Sequence, residues 1–381
     1  MKTLRLFVQC CLIMFAATQA LNASAGPVYV VTDLGSWGSD SEAFAISDNG
    51  KYVAGESWTG GGPLAATLFG PSFAPVALSA GVFGPYYSRA YGVNNSGHAV
   101  GEAFFGTGTH AALFSVGSNP IDLGTLAGES SIAYGVNNVG QAVGVSTNSP
   151  QGGGRATLFA VGASPVDLGA LTGPLGFSAA KAINSLGQVV GQSSYFDGLP
   201  HATLFGVGAN PIDLGFLAGS IYGYASAADI SDTGVIVGTS YGGGTASRAT
   251  LFNVGGSATD LGSLGGSTSR AYGVNDSGLV VGMSSLPGDP LFDGNPIFHA
   301  ALYREGEAPI DMNDLIDPSS GWLLREALAI NANGQITGYG RFNGHYRAFL
   351  ATPIEVPEPG TIALLGLGLA ALRLSRQGRP R

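Results

Sequence analysis

Cysteine is almost absent from this chain. Its two copies, Cys10 and Cys11, both fall within the first 25 residues, so a body lacking that segment has neither disulfides nor thiolate metal sites. Lysine is nearly as scarce, at three (Lys2, Lys51 and Lys181), and charged residues of all kinds make up 11% of the sequence, against about 25% in an average globular chain. With a formal charge of −9, a protein that tracks phosphate backbones is excluded, and no nucleic-acid partner is expected. The 20 prolines follow no Gly-X-Y period, which excludes collagen. Disorder is excluded too, because 45% of the residues are apolar and charge is low. What is abundant is glycine, 62 residues of 381, more than twice a background of about 7%. Glycine between short β-branched and aromatic runs points to an all-β protein rich in turns.

The two ends read as addresses. Lys2 and Arg5 precede an apolar run over residues 6–17, and Ala23-Ser24-Ala25 supplies the small residues of an A-x-A cleavage site. Residues 1–25 are therefore expected to be a secretory signal peptide, cut after Ala25 by signal peptidase. At the other end, Val356-Pro357-Glu358-Pro359-Gly360 leads into an apolar stretch over 361–372, followed by Arg373, Arg376, Arg379 and Arg381. The prolines keep their segment extended. A short apolar helix can lodge in the inner membrane, and the arginines hold its end on the cytoplasmic side. These parts, in this order, resemble the PEP-CTERM sorting tail of Gram-negative bacteria. The resemblance implies an exosortase-type protease that cuts near Pro-Glu-Pro, transient inner-membrane anchoring, and a final place outside the cell or on its surface. A permanent tail anchor is the alternative. With residues 1–25 and 355–381 set aside, the body at 26–354 holds 10 basic and 23 acidic residues, a net charge of −13.

The body is one motif written seven times. Asp-Leu-Gly occurs at Asp33, Asp122, Asp167, Asp213 and Asp260, and decays at 76–78 and at 310–312. An apolar run ending in Asn or Ser, then two residues and Gly, recurs with Ser47, Asn94, Asn137, Asn184, Ser231, Asn275 and Asn331. A Val-Val-Gly-x-Ser-like strand follows, with its Gly at 55, 101, 144, 191, 238, 282 and 338. Last comes x-Ala-x-Leu-Phe, as in 66–69 and 111–114. The strand glycines lie 46, 43, 47, 47, 44 and 56 residues apart. Four short strands in about 45 residues is the size of a propeller blade, and ring closure leaves no long edge strand exposed. The expected fold is thus an all-β, seven-bladed β-propeller of four-stranded repeats over 26–354, flanked by a signal peptide and a hydrophobic sorting helix. A β-solenoid is the alternative, though its coils are usually shorter. The repeats resemble the HAF family of extracellular repeats through His110-Ala111-Ala112-Leu113-Phe114, His201-Ala202-Thr203-Leu204-Phe205 and His299-Ala300-Ala301-Leu302-Tyr303. Arg155, Arg248 and Arg347 stand where that pattern has His, which counts against a chemical role for the ring. The family implies no activity.

Chemistry-bearing patterns reduce to the repeat. Gly238-Thr239-Ser240-Tyr241-Gly242 matches G-x-S-x-G, but Gly-x-Ser also occurs at Ser57, Ser146, Ser193 and Ser284. The repeated Asp is expected to bond nearby backbone or a neighbouring Arg or His, and one His per repeat is not ligand spacing. No catalytic residue, metal site or cofactor is assigned. In a four-stranded blade, the connections after the first and third signals share a face, and they vary in length and carry aromatics. Loops on a rigid scaffold are where binding sits, so Trp58, Phe104, Tyr195 and Tyr241 form the candidate binding face. Asp289 and Asp293 are an unrepeated acidic pair in the longest such loop. The expected role is non-enzymatic binding of extracellular polysaccharide, neutral or cationic chains being favoured by the acidic body. A hydrolase or lyase on the same scaffold and a purely structural matrix protein are the alternatives. Intact mass of the protein recovered from culture medium checks the addresses. The product should begin near residue 26 and end near Pro357, and one retaining residues 365–381 contradicts the reading.

Overall fold

The computed structural model describes residues 28–354, apart from 59, 61, 63, 79–86, 107, 149–152, 221–222, 242–245, 256, 289–290 and 293–294. Seven four-stranded antiparallel sheets follow one another along the chain. The first blade consists of Ser41–Ile46, Val53–Trp58, Leu64–Gly70 and Phe73–Ala77, paired in that order. The inner strands of the next five blades are Ser88–Val93, Ser131–Val136, Ser178–Ile183, Ala225–Ile230 and Ser269–Val274. Blade seven has Trp322–Ile330, Ile336–Phe342 and His345–Pro353, and its outer strand is Tyr29–Asp33 from the start of the chain. The ring is closed by this pairing, in register from Tyr29 with Pro353 to Asp33 with Phe349. Asp-Leu-Gly therefore marks the outer strand, and its first copy completes the last blade. A two-stranded ribbon, Leu291–Phe292 with Asn295–Pro296, is inserted in blade six.

Each signal of the repeat has a physical reason. The Asn-x-x-Gly turn places its glycine in the left-handed region in every blade, with φ from 68° at Gly50 to 86° at Gly140 and Gly234, where a Cβ is unfavourable. The strand glycine serves close approach instead. An added Cβ at Gly144 would collide with the Ile132 carbonyl, and the equivalent collision occurs in all seven blades. The Phe of x-Ala-x-Leu-Phe is buried between neighbouring blades. Phe159, for example, packs with Val100, Ala111 and Leu123 of blade two and with Ala133 of its own. The core is thus a set of layers between blades.

Polar groups staple those layers. Ser131 Oγ accepts from Ala111 N at 2.8 Å and donates to Gly124 O at 2.6 Å, both in the preceding blade. Ser178 and Ser269 make the same pair of bonds, and Ser41 does so across the closure to Ala348 and Gly35. Around the channel, Asn94, Asn137, Asn184, Asn275 and Asn331 each donate Nδ2 to the equivalent carbonyl of the next blade, at 3.0–3.4 Å. Where blade five has Ser231 instead, half-buried Asp229 accepts from Val274 N at 2.9 Å. Where blade one has Ser47, Asn49 bonds Asn95. Ser131→Ala leaves the buried Ala111 N–H without its partner and takes a donor from the part-buried Gly124 carbonyl, and should cost about 1–3 kcal/mol. Equilibrium urea unfolding measures this, and a loss under about 0.5 kcal/mol, typical of neutral surface changes, contradicts the staple.

Candidate functional site

Strand direction sorts the connections onto two faces. Inner and third strands run the same way, so the Asn-x-x-Gly turns and the links to the outer strands share one face, the turn face. Connections between blades and between second and third strands open on the other, the loop face. Trp58 and Phe104 end the second strands of blades one and two, Tyr241 ends that of blade five, and Tyr195 follows that of blade four by one residue. All four candidates lie on the loop face, but they do not converge. Tyr195 stacks on His201 with centroids 4.4 Å apart and covers the outer half of its blade. Trp58 is part-exposed at the rim. Tyr241 packs edge-on against Tyr224 at 5.1 Å, and both line a cavity at the channel mouth. Ala23, Ala25, Val356, Pro357, Glu358, Pro359, Asp289 and Asp293 lie outside the described residues.

The channel wall is set by a bulge. In every blade the pairing of inner and second strands skips an inner-strand residue at the same place, as between Ala133 and Gly135, blade seven skipping Arg325 as well, and a bulge re-aims the skipped side chain. At that shared place the skipped residues are Phe44, Tyr91, Tyr134, Lys181, Ala228, Tyr272 and Leu328, and all line the channel. Sequence reasoning missed this ring. Its signal was a variable residue between the constant Ala and the Gly-Val, Ala-Ile or Asp-Ile that follows.

At the loop face the channel widens into a cavity of about 540 Å³, lined among others by Tyr134, Lys181, Tyr224, Tyr241, Arg270 and Tyr272. Phe44, Tyr91 and Tyr134 form an arc with successive ring distances of 5.5 and 5.4 Å. Lys181 Nζ sits 3.9 Å from the Tyr134 ring centroid, a cation–π distance. Among the described residues no carboxylate lies within ion-pair reach of Lys181 or Arg270. Burial pushes the Lys181 ammonium below its ordinary pKa. Among the described residues the cavity wall thus carries two cations and no acid, although the body is acidic.

The carboxylates cluster on blades seven, one and two. Glu56 pairs with Arg89 Nε at 2.6 Å, Glu102 accepts from the Tyr91 hydroxyl at 3.0 Å, and Glu326 accepts from that of Tyr339 at 2.7 Å. Half-buried Glu42 is pushed up to about 7, first by burial and then by the charges of Glu56 and Glu326.

The remaining motif residues are structural. The repeated Asp accepts the glycine N–H two residues on, as Asp213 does from Gly215 at 2.7 Å. Its other oxygen meets the His or Arg twelve residues earlier: His110–Asp122 at 2.8 Å, Arg155–Asp167 at 3.0 Å, His201–Asp213 at 2.9 Å and Arg248–Asp260 at 3.0 Å. His299 and Asp311 pair likewise at 2.5 Å. Burial raises Asp311, but the hydrogen bonds from His299 and Asn313 outweigh it and hold the carboxyl below its usual range. Ser240 is buried and accepts from Leu217 N at 3.0 Å, pinning the interblade loop, as Ser57, Ser146, Ser193 and Ser284 pin theirs. Among the described residues no group of three or more His, Cys, Asp or Glu is arranged to hold a metal.

Residues 355–377 match the PEP-CTERM protein-sorting motif. The protein is therefore a seven-bladed propeller with an exosortase sorting signal, and the motif implies export and sorting to the cell surface. No curated protein matches the sequence. TolB from Acinetobacter baumannii is similar at a TM-score of 0.37 and 10% identity, over 87% of this chain and 56% of that one. A Trypanosoma rangeli sialidase, in complex with 2,3-difluorosialic acid as a covalent intermediate, gives 0.32 and 9%, over 92% of this chain and 59% of that one. The chain spans under two thirds of either protein, and at these scores neither likeness bears on the site.

Glu42 generates a test of the carboxylate cluster. Its pKa is higher folded than the ordinary 4.5, so the folded state binds the proton more tightly. Stability is full below about 4.5 and falls as pH rises through about 7. Glu42→Gln should raise Tm at pH 8 and leave it unchanged at pH 4. An equal gain at both pH values contradicts the electrostatic origin.

Proposed function

We propose that the protein is an exported, non-enzymatic propeller that binds extracellular polysaccharide at the channel mouth on its loop face. The supporting observation is the cavity itself, with tyrosines in its wall and a lysine lacking a carboxylate partner. Tyrosine rings cover the apolar faces of sugars while their hydroxyls bond the edges. Lys181 and Arg270 add donors for sugar hydroxyls or a carboxylate. The body's negative field is screened beyond about 8 Å at physiological ionic strength, so the cavity wall decides the contact. Neutral chains and chains with single carboxylates suit it. A polycation is drawn to the body but meets like charge in the cavity. Trp58, Phe104 and Tyr195 serve as peripheral contacts.

The second reading is a hydrolase or lyase, favoured by the raised carboxyl of Glu42 beside the further carboxyl groups of Glu56 and Glu326, since glycosidases use paired carboxyl groups. Against it, Glu56, Glu102 and Glu326 are each engaged by a donor, which leaves Glu42 without a free carboxylate to act as base or nucleophile. We also read the repeats as HAF-type, the pairing of their His or Arg with the repeated Asp being what the motif conserves structurally within this chain. After cleavage of the tail the propeller is placed in the medium or on the surface.

Dextran, alginate and chitosan serve as neutral, anionic and cationic probes in titrations of the secreted protein. Dextran or alginate should bind more tightly than chitosan, without release of reducing ends. Tyr241→Ala should weaken that binding roughly 5–10-fold, as expected for about 1–1.5 kcal/mol of stacking, at unchanged Tm. Asp213→Ala, the control, should lower stability and spare affinity. Failure of all three polymers to bind, or a Tyr241→Ala effect on Tm alone, overturns the proposal.

A further inference from the structure

We infer that, while the sorting tail is held in the inner membrane, the turn face lies against the lipid surface and the channel mouth points away from it. The chain leaves the fold on the turn face. His345–Pro353 runs parallel to its blade's inner strand and ends beside the turn at 331–334, with Pro353 packed next to Gly334. Ile354 N–H then donates to the Val28 carbonyl at 2.9 Å. The sorting motif begins at 355 and its apolar stretch at 361, so six residues join the body to the bilayer. Fully extended they span about 20 Å, and Pro357 and Pro359 restrict them further. The outer strand Tyr29–Asp33 starts at the same corner.

One tether alone would let the disc tilt. A second contact lies across the ring. The third position of the Asn-x-x-Gly turn is polar in five blades and apolar in blades three and four, the two opposite blade seven. These residues, Val139 and Leu186, are 76% and 72% exposed. On the same face the links to the outer strands of blades two to five carry Val116, Val161, Val207 and Val254, each more than half exposed. Those links, at 115–120, 160–165, 206–211 and 253–258, hold no charged residue, whereas the link of blade six has Arg304, Glu305 and Glu307. Exposed aliphatic side chains gathered on one face mark an interaction surface. They are set among Ser, Asn and Gly, while the turn carboxylates of this face, Asp48, Asp232 and Asp276, line the channel opening, so the aliphatic rim around that opening suits the shallow interface of a phospholipid layer. The tether at blade seven and the aliphatic rim at blades two to five hold the face parallel to the membrane.

Single cysteines test this directly, since the body has none of its own. Val139→Cys, Leu186→Cys and Phe196→Cys are made in the full chain with Cys10→Ser and Cys11→Ser. Phe196 is 80% exposed and sits on the loop face of the blade that carries Leu186. Each variant, labelled with a polarity-sensitive fluorophore, is inserted in vesicles of phosphatidylethanolamine and phosphatidylglycerol that carry an acyl-chain quencher, and floated protein is read. Probes at 139 and 186 should be quenched several-fold more than the probe at 196. Equal quenching at all three, stronger quenching at 196, or none overturns the proposal. Shielding of 139 and 186 from aqueous reagents without lipid quenching assigns the face to a protein partner and overturns it too.

Discussion

The fold depends on one antiparallel pairing, that of Tyr29–Asp33 with His345–Pro353. Every other blade takes its four strands from consecutive sequence. Blade seven alone borrows its outer strand from the far end of the chain, so this pairing turns a row of blades into a ring. The staples then become circular. Ser41 holds Ala348 and Gly35, and Asn331 reaches Ser47, so blades seven and one are joined by the same bonds as blades two and three. In a body without cysteine, these hydrogen bonds and the apolar layers between blades carry the stability.

The repeat was legible in the sequence because each signal answers a local demand. Gly140 is required by a left-handed turn, Gly144 by the Ile132 carbonyl, and Asp213 by both the Gly215 N–H and His201. The division into faces was legible for the same reason, since strand count fixes which connections share a side. Phasing was not. Asp33-Leu34-Gly35 looks like the opening of the first unit, and only closure shows it to be the end of the last.

The site was legible in part. Tyr241 was found because aromatics in variable loops stand out, but Trp58, Phe104 and Tyr195 share with it a face and not a pocket. Lys181, Tyr134 and Tyr272 were passed over because their one local mark, variability after a constant Ala, does not tell a residue that faces a channel from one that faces solvent. The bulge that turns them inward is a property of paired strands. The carboxylates were hidden likewise. Glu42 and Glu56 face each other across one hairpin of blade one, but Glu326 is far away in sequence, and only the ring brings blades seven and one together. That proximity, added to burial, raises Glu42.

The two faces divide the labour that the sequence and the sorting motif imply: a turn face with short links and the exit to the tail, and a loop face with the open cavity. Both follow from a ring that stays shut, which makes the closing strand the point to probe. Native-state hydrogen exchange measures it amide by amide. Terminal segments normally fray at little cost in free energy. The account predicts that the ladder amides of Tyr29–Asp33 exchange with the same opening free energy as those of the inner strands. Exchange of those amides at a much lower free energy, with the inner strands still protected, would contradict it.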